Sequence, residues 1–199
     1  MVNFEAFARM PREPRRDEVL DAAARLFARD GYAATSVRAL ADEAGFTKAG
    51  LYYHVRGKEE LLAAICAESI EAILQDVERA VVDGAEPAQQ LAAIIDAHVR
   101  FFHQHPDRLT VLNQEMGRLS APRRRKIVRL ERRYLGLLRS VLERGMKSGA
   151  LVRLDPTVSA FLLLSLVNGL SDWYDPKGRV GRDALIAHVQ RITLRGLAA

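Results

Sequence analysis

The chain is poor in most of what builds a stapled, metal-dependent or membrane-spanning protein. Cys66 is the only cysteine in 199 residues, so there is no disulfide framework and no cysteine-based metal site. A lone thiol of this kind is expected to pack on an apolar helix face in a reducing cytoplasm. His98, His103 and His105 share no metal-like face with a carboxylate, so no metal is expected. The longest apolar run, Val158 to Val167, is about half a membrane span and is fenced by Asp155 and Asp172. The N-terminus lacks the apolar core of a signal peptide. A cytoplasmic protein with no membrane partner follows as the expectation. No nucleophile–base pair stands out, which argues against an enzyme, and no stretch alternates with period two, which argues against strands.

The remaining composition is that of a globular protein, with 49% hydrophobic and 28% charged residues. Its length suits one small and one larger helical domain. The net charge of +5 is unevenly spread: residues 1–60 hold 10 basic and 10 acidic side chains, leaving 20 and 15 for residues 61–199. Bulk charge therefore does not argue for a nucleic-acid partner; local arrangement does. Arg38, Lys48, Arg56 and Lys58 cluster, while Asp42 and Glu43 stand apart from them. Arg9, Arg12, Arg15 and Arg16 suit a flexible basic arm, reading either as phosphate and minor-groove contacts or as a solubilising tail.

Helix punctuation is frequent. Helices are expected over about 15–30, two short ones within 35–57, then 58–82, 87–104, 106–118, 121–148, 156–173 and 180–197, roughly nine in all. Asp155-Pro156 supplies an N-cap followed by proline at the first helical position. The most informative stretch is 35–58. Thr35 or Ser36 caps a helix whose apolar residues Val37, Leu40, Ala41 and Ala44 fall on one stripe, and Gly45 stops it in a left-handed turn. Thr47 caps the next helix, which is too short to stand alone. Leu51 and Val55 point inward; Lys48, Ala49, Gly50, Tyr52, Tyr53 and His54 face outward or sideways. Tyrosine beside lysine and histidine is poor solvent surface but good DNA surface: the hydroxyl reaches phosphate, and small residues let the helix approach base edges.

The run Gly31-Tyr32-x-x-Thr35-Ser36-Val37-Arg38-x-Leu40-Ala41-x-x-Ala44-Gly45-Phe46-Thr47-Lys48-x-x-Leu51-Tyr52-Tyr53-His54-Val55-x-x-Lys58-x-x-Leu61-Leu62 resembles the N-terminal domain of the TetR family of repressors. The likeness spans about residues 15–62. It implies an all-α fold: an N-terminal three-helix helix–turn–helix DNA-binding domain and a C-terminal helical ligand-binding and dimerisation domain. The expected division is 1–14 basic arm, 15–60 DNA-binding domain and 61–199 ligand-binding and dimerisation domain. The resemblance implies phosphate contacts at Thr35, Ser36, Tyr52 and Lys58, and positions at or near the bases for Val37, Lys48, Ala49, Gly50, Tyr53 and His54. Arg38 and Thr47 complete the expected DNA-binding set. Many relatives carry Phe where this chain has Val55, an inward position.

The 156–173 segment is apolar all round. A helix of that kind is buried on both faces, either as a core helix or with one face against a partner. The resemblance implies the second: a four-helix homodimer interface from the last two helices, with Phe161, Leu162, Ser165, Leu166, Gly169, Leu185, Val189 and Ile192 facing the partner copy. Two-fold symmetry suits a palindromic double-stranded operator, whose successive major grooves lie about 34–36 Å apart.

Polar and aromatic residues scattered among apolar ones in the middle helices (His98, Phe101, Phe102, Asn113, Met116, Tyr134, Asn168, Trp173) mark a candidate small-molecule pocket. Residues 118–133 add eight basic side chains against one acid, Glu131. That face is either solvated or a docking site for a polyanion, through Arg125, Arg129, Arg132 and Arg133. Together with Asn168-Gly169-x-x-x-Trp173-Tyr174-x-Pro176-x-Gly178 and Leu194-Arg195-Gly196-Leu197, the C-terminal half is similar to a TetR branch that responds to acyl-CoA thioesters and governs lipid catabolism. The expected ligand-binding set is His98, Phe102, Met116, Arg125, Arg129, Arg133, Tyr134, Asn168 and Trp173. No cofactor is expected beyond an acyl-CoA effector. A regulator of another effector class (a drug or aromatic compound) and an effector-free architectural DNA-binding protein are the competing readings.

Overall fold

The structure is a computed structural model and describes residues 16–47, 49, 51, 55–81 and 84–197. Its elements are helices throughout: α1 Arg16–Asp30, α2 Val37–Glu43, α3 Lys58–Ala80, α4 Pro87–Gln104, α5 Pro106–Glu115, a 3₁₀ turn Met116–Arg118, α6 Ala121–Ser148, α7 Pro156–Asn168, α8 Leu170–Trp173 and α9 Arg182–Leu197. No helix among the described residues is long and apolar enough to cross a membrane.

Local chemistry sets the boundaries. Ser36 rather than Thr35 caps α2, its Oγ accepting from the Ala39 N–H at 3.1 Å. Gly45 adopts φ +73, and the Phe46 N–H closes the helix end on the Ala41 carbonyl at 2.8 Å. That six-residue bond is the Schellman termination, and a side chain at Gly45 would be strained in it. Asp155 caps α7 through the N–H groups of Thr157 and Val158 at 2.8 and 2.9 Å.

Two expected boundaries move. The 106–118 segment leaves α-geometry after Glu115, so Met116 sits on a 3₁₀ turn. The 156–173 segment breaks at Gly169 into α7 and α8.

One core runs through the molecule. α1 packs on both α2 and α3, burying Leu20 and Phe27 together with Leu40 of α2 and Leu51 of the segment after it; α3 also packs on α4, α5 and α6 through Ile65, Ile70, Ile73 and Val77. α9 lies on α4 and adds Leu185, Ile186 and Val189. Cys66 is fully buried, and burial pushes its thiol up to about 12, so it remains a protonated apolar filler.

The tightest approach in the core is at Gly145 on α6. A Cβ there would stand 2.5 Å from Leu151 Cδ1 and 3.1 Å from Pro87 Cβ. Leu151 is itself buried, so its side chain would have to repack within the core to admit the Cβ. Gly145→Ala is therefore expected to cost about 1–3 kcal/mol in urea unfolding. Gly136→Ala, on the same helix with nothing near its Cβ, is expected to stabilise by a fraction of about 1 kcal/mol.

Candidate DNA-reading head and effector cavity

α2 and the segment after it form the reading head. The Leu51 N–H donates to the Thr47 carbonyl at 2.9 Å and the Val55 N–H to the Leu51 carbonyl at 3.0 Å, two bonds of helical i to i+4 spacing among the described residues of the segment that resembled a recognition helix. Leu51 is buried, Val55 packs on the core, and Ala49 and Thr47 are exposed. Lys48, Gly50, Tyr52, Tyr53 and His54 lie outside the described residues. Ser36 and Arg38 are exposed beside the segment, with Arg38 within 3.9 Å of Asp42, and Val37 is half-buried.

Two expected phosphate contacts are engaged elsewhere. Thr35 is only 4% exposed, and its hydroxyl donates to the Gly31 carbonyl at 2.8 Å. Lys58 Nζ donates to three backbone carbonyls, Tyr32 at 2.9 Å, Ala33 at 3.2 Å and Thr35 at 3.1 Å, and lies 4.5 Å from the centroid of the Tyr32 ring. An ammonium has three protons, and all three are directed into the loop that joins α1 to α2. Lys58 thus positions the reading head from behind. Arg16, expected in the arm, opens α1 and bonds to Glu68 on α3.

A cavity of about 440 Å³, open on one side, lies among α3, α4, α5, α6 and α7. Ile70, Ile73, Leu109, Leu112, Val128, Leu135 and Leu164 give it apolar walls. His98, Tyr134 and Asn168, all expected on sequence grounds, line it. His98 is 2% exposed and its Nδ1 lies 3.0 Å from the Tyr134 hydroxyl. Burial lowers the His98 pKa to about 4, against an opposing contribution from the Asn168 side chain, so the imidazole is neutral near pH 7. Burial likewise raises the Tyr134 phenol, which stays protonated. Arg132, Phe161 and Ser165 stand at the exposed rim.

Several expected ligand residues lie elsewhere. Phe102 is a core residue against the Tyr174 ring, centroids 5.9 Å apart. Met116 is turned away by the 3₁₀ geometry and packs on the core. Trp173 is 69% exposed on α8, past the Gly169 break. Arg125 and Arg129 are exposed outside the cavity lining, and Arg133 pairs with Glu78 on α3 at 2.7 Å. Arg123 and Lys126 pair with Glu59 and Glu71. Arg124, Arg125, Arg129 and Arg132 are left with no acidic partner within ion-pair distance among the described residues.

The C-terminal domain matches the model described as "Tetracyclin repressor-like, C-terminal domain" over residues 84–197, more than half the chain. This chain belongs to the TetR family. Residues 19–65 also match the model of "Bacterial regulatory proteins, tetR family". It is 31% identical over 188 residues to the HTH-type transcriptional repressor KstR2 of Rhodococcus jostii, covering 93% of this chain and 92% of that protein. Among solved structures, the TetR-family regulator PfmR of Thermus thermophilus superposes with a TM-score of 0.83 at 31% identity, over 91% of this chain and 99% of that one. AibR in complex with isovaleryl coenzyme A and operator DNA superposes at 0.80 with 28% identity, over 88% and 96%.

This TetR-family chain is a DNA-binding transcriptional regulator, and its two working parts are joined by two helices. α3 begins beside the reading head at Lys58 and lines the cavity with Ile70 and Ile73. α5 was not expected to connect the two parts. It lines the cavity with Leu109, Leu112 and Asn113, while Arg108 reaches Asp21 on α1 at 2.6 Å and Glu115 accepts from the Tyr32 N–H at 3.2 Å. Amphipathic spacing made α5 visible as a helix. Nothing in its sequence names the partners of Arg108 and Glu115, which are more than 80 residues away.

The expected dimer residues divide. Val158, Phe161, Leu162 and Leu166 form an exposed apolar stripe, Leu162 at 66%, and Ser165 lies within it. Gly169 is half-buried at the end of α7, and Ile192 is 67% exposed on α9. Leu185 and Val189, by contrast, are buried and face α4, where Gln190 Nε2 also donates to the Ala92 carbonyl at 2.9 Å. Half of the apolar side of α9 is thus spent on the core of its own chain.

Two expected outcomes follow. Lys58→Met is predicted to cost about 1–3 kcal/mol of stability and to weaken operator binding, with the slope of log affinity against log salt unchanged. A phosphate-binding lysine would instead reduce that slope by about one. For His98, the unfolded chain takes up a proton near pH 6.5 and the folded chain only near about 4. Stability from its neutral form is complete above pH 6.5 and is lost as pH falls toward 4, by up to about 3 kcal/mol. Urea titrations across that window should show this slope in the wild type and a shallower one in His98→Gln.

Proposed function

We propose that this regulator is a cytoplasmic homodimeric repressor that binds a palindromic operator and is released by a small hydrophobic effector, an acyl-CoA thioester. The single observation that carries the reading is the cavity, with apolar walls, a neutral polar floor, and unpaired arginines at and beyond its rim. At about 440 Å³ it is near the small end of ligand pockets, so it suits an acyl group and leaves the nucleotide part of a coenzyme A outside. Arg125 and Arg132 share the face of α6 that carries the cavity-lining Val128, on the i, i+3, i+7 spacing. Guanidinium forks placed there suit phosphates. The AibR complex, whose effector is isovaleryl coenzyme A, supports the same class.

The exposed stripe on α7 supports the dimer. Val158, Phe161, Leu162 and Leu166 on α7, with Ile192 exposed on α9, are large apolar side chains that water disfavours and a second copy would cover. Release then requires that the ligand prefer the conformation that does not fit DNA. Wedging apart α3 and α5, which both reach the reading head, supplies that difference. A clean switch needs about 10⁴-fold differential affinity, roughly 5.5 kcal/mol.

A second reading has one observation in its favour. Glu131 lines the cavity half-buried, with burial raising its carboxyl, and a cationic drug-like effector would find a counter-charge there. An effector-free architectural role leaves the cavity without a purpose.

Fluorescence anisotropy on DNA from the protein's own promoter region tests the proposal, titrated with acyl-CoA thioesters, free coenzyme A, free fatty acids and cationic aromatics. Release by thioesters alone is expected. The joint replacement of Arg125, Arg129 and Arg132 by Ala should weaken the thioester effect at least tenfold and leave operator affinity unaltered. Release by cationic aromatics alone would transfer the assignment to Glu131.

A further inference from the structure

The floor of the cavity is more specific than a greasy tunnel needs. His98 and Tyr134 line the main cavity and also a second, very small one behind it, bounded by Leu91, Ile94, Leu138 and Val167. The pair therefore belongs to the wall shared by the two, and it is buried where Arg132, Phe161 and Ser165 on the same lining are exposed. His98 Nδ1 is occupied by the Tyr134 hydroxyl at 3.0 Å, while His98 Nε2 is buried and completes no hydrogen bond of good geometry, although the Asn168 side chain also acts on the ring. If the phenol donates to Nδ1, Nε2 carries a proton with nothing well placed to receive it. If Nδ1 donates to the phenol, Nε2 is a bare acceptor. Either tautomer leaves one hydrogen bond unmade inside an apolar site, and a buried polar group in that condition costs free energy until something fills it.

We propose that His98 Nε2, held by Tyr134, is a recognition site for an uncharged oxygen on the far, apolar part of the effector, so that the preferred ligand carries a carbonyl or hydroxyl away from its coenzyme A end. The inference rests on the cavity as effector site and sharpens its class from acyl to oxygen-bearing acyl. The Nε2–H tautomer donates to a ketone or a hydroxyl oxygen, whereas the bare Nε2 accepts only from a hydroxyl. A charged carboxylate is disfavoured, because the floor is closed to solvent and offers no counter-charge of its own. Leu164, which borders both cavities, helps keep that end dry. Phenylalanine at position 134 would keep the ring's shape and remove the group that orients the imidazole, making Tyr134 a positioning residue and His98 the contact.

The test uses the full-length protein and matched probes, read by calorimetry. One set is an octanoyl thioester of coenzyme A, the same thioester bearing a methyl ketone at its far end, and the same bearing a hydroxyl there. A second set, without coenzyme A, is cyclohexanone, cyclohexanol and methylcyclohexane. The expected result is binding at least about tenfold tighter for one oxygen-bearing member of each set, with that preference reduced to less than about twofold in His98→Leu and in Tyr134→Phe. The methylcyclohexane affinity of both variants serves as the check that the cavity is intact. Equal affinity for plain and oxygen-bearing thioesters would overturn the inference, leaving the acyl-CoA reading standing and a water molecule on Nε2. No thioester binding, with cyclohexanone or cyclohexanol still preferred in a His98-dependent way, would support the inference and sink the coenzyme A assignment. No preference in either set would overturn it.

Discussion

The reading head depends on one buried-side ammonium. α1, α2 and the segment after them are short, and short helices hold their places only through what they pack on. Lys58 Nζ, at the first turn of α3, gathers the carbonyls of Tyr32, Ala33 and Thr35 and lies against the Tyr32 ring. Those carbonyls belong to the loop between α1 and α2, where no helix supplies donors. The same loop receives Glu115 on the Tyr32 N–H. A cation from α3 and an anion from α5 therefore grip one loop from two helices that also line the cavity. That shared grip is the connection on which the proposed route from ligand to DNA rests.

The cavity and its surroundings separate charge by function. On α6, the basic residues nearest α3 are neutralised by Glu59, Glu71 and Glu78 and hold two helices together. Those a fraction of a turn away have no acid within ion-pair distance among the described residues and face solvent, Arg132 at the rim of the cavity. Deeper in, His98 and Tyr134 are polar but uncharged, because a buried charge with no partner would be far more costly than a buried neutral ring. The proposed effector matches this arrangement by being anionic outside, apolar in the middle and hydrogen-bonding without charge at its tip.

Much of this was legible in the sequence where the signal was local. Cap residues, the left-handed Gly45, the Asp155-Pro156 start and the apolar stripes gave α1 to α6 and α9 to within a few residues, because each depends on contacts within a turn or two, while the break between α7 and α8 was not legible. His98, Tyr134 and Asn168 could be singled out because polar groups on apolar faces are unusual and must be placed somewhere. Leu185 and Val189 could not be told from Ile192, since an apolar stripe says that a face is covered and not by what. The intramolecular bonds of Lys58 and Thr35 were hidden for the same reason: a basic or hydroxyl residue beside a DNA-reading segment has the right chemistry for phosphate whether or not its protons are already taken.

Sequence by itself determined the all-α class, the positions of the helices and the reading segment, since these follow from periodicity and capping within single helices. Tertiary structure alone decided which arginines are paired and which are free, that Met116 and Trp173 turn away from the cavity, that α5 joins cavity to reading head, and that His98 Nε2 is left without a hydrogen bond of good geometry. Each of those depends on groups dozens of residues apart meeting at hydrogen-bond distance, which only packing of the whole chain brings about.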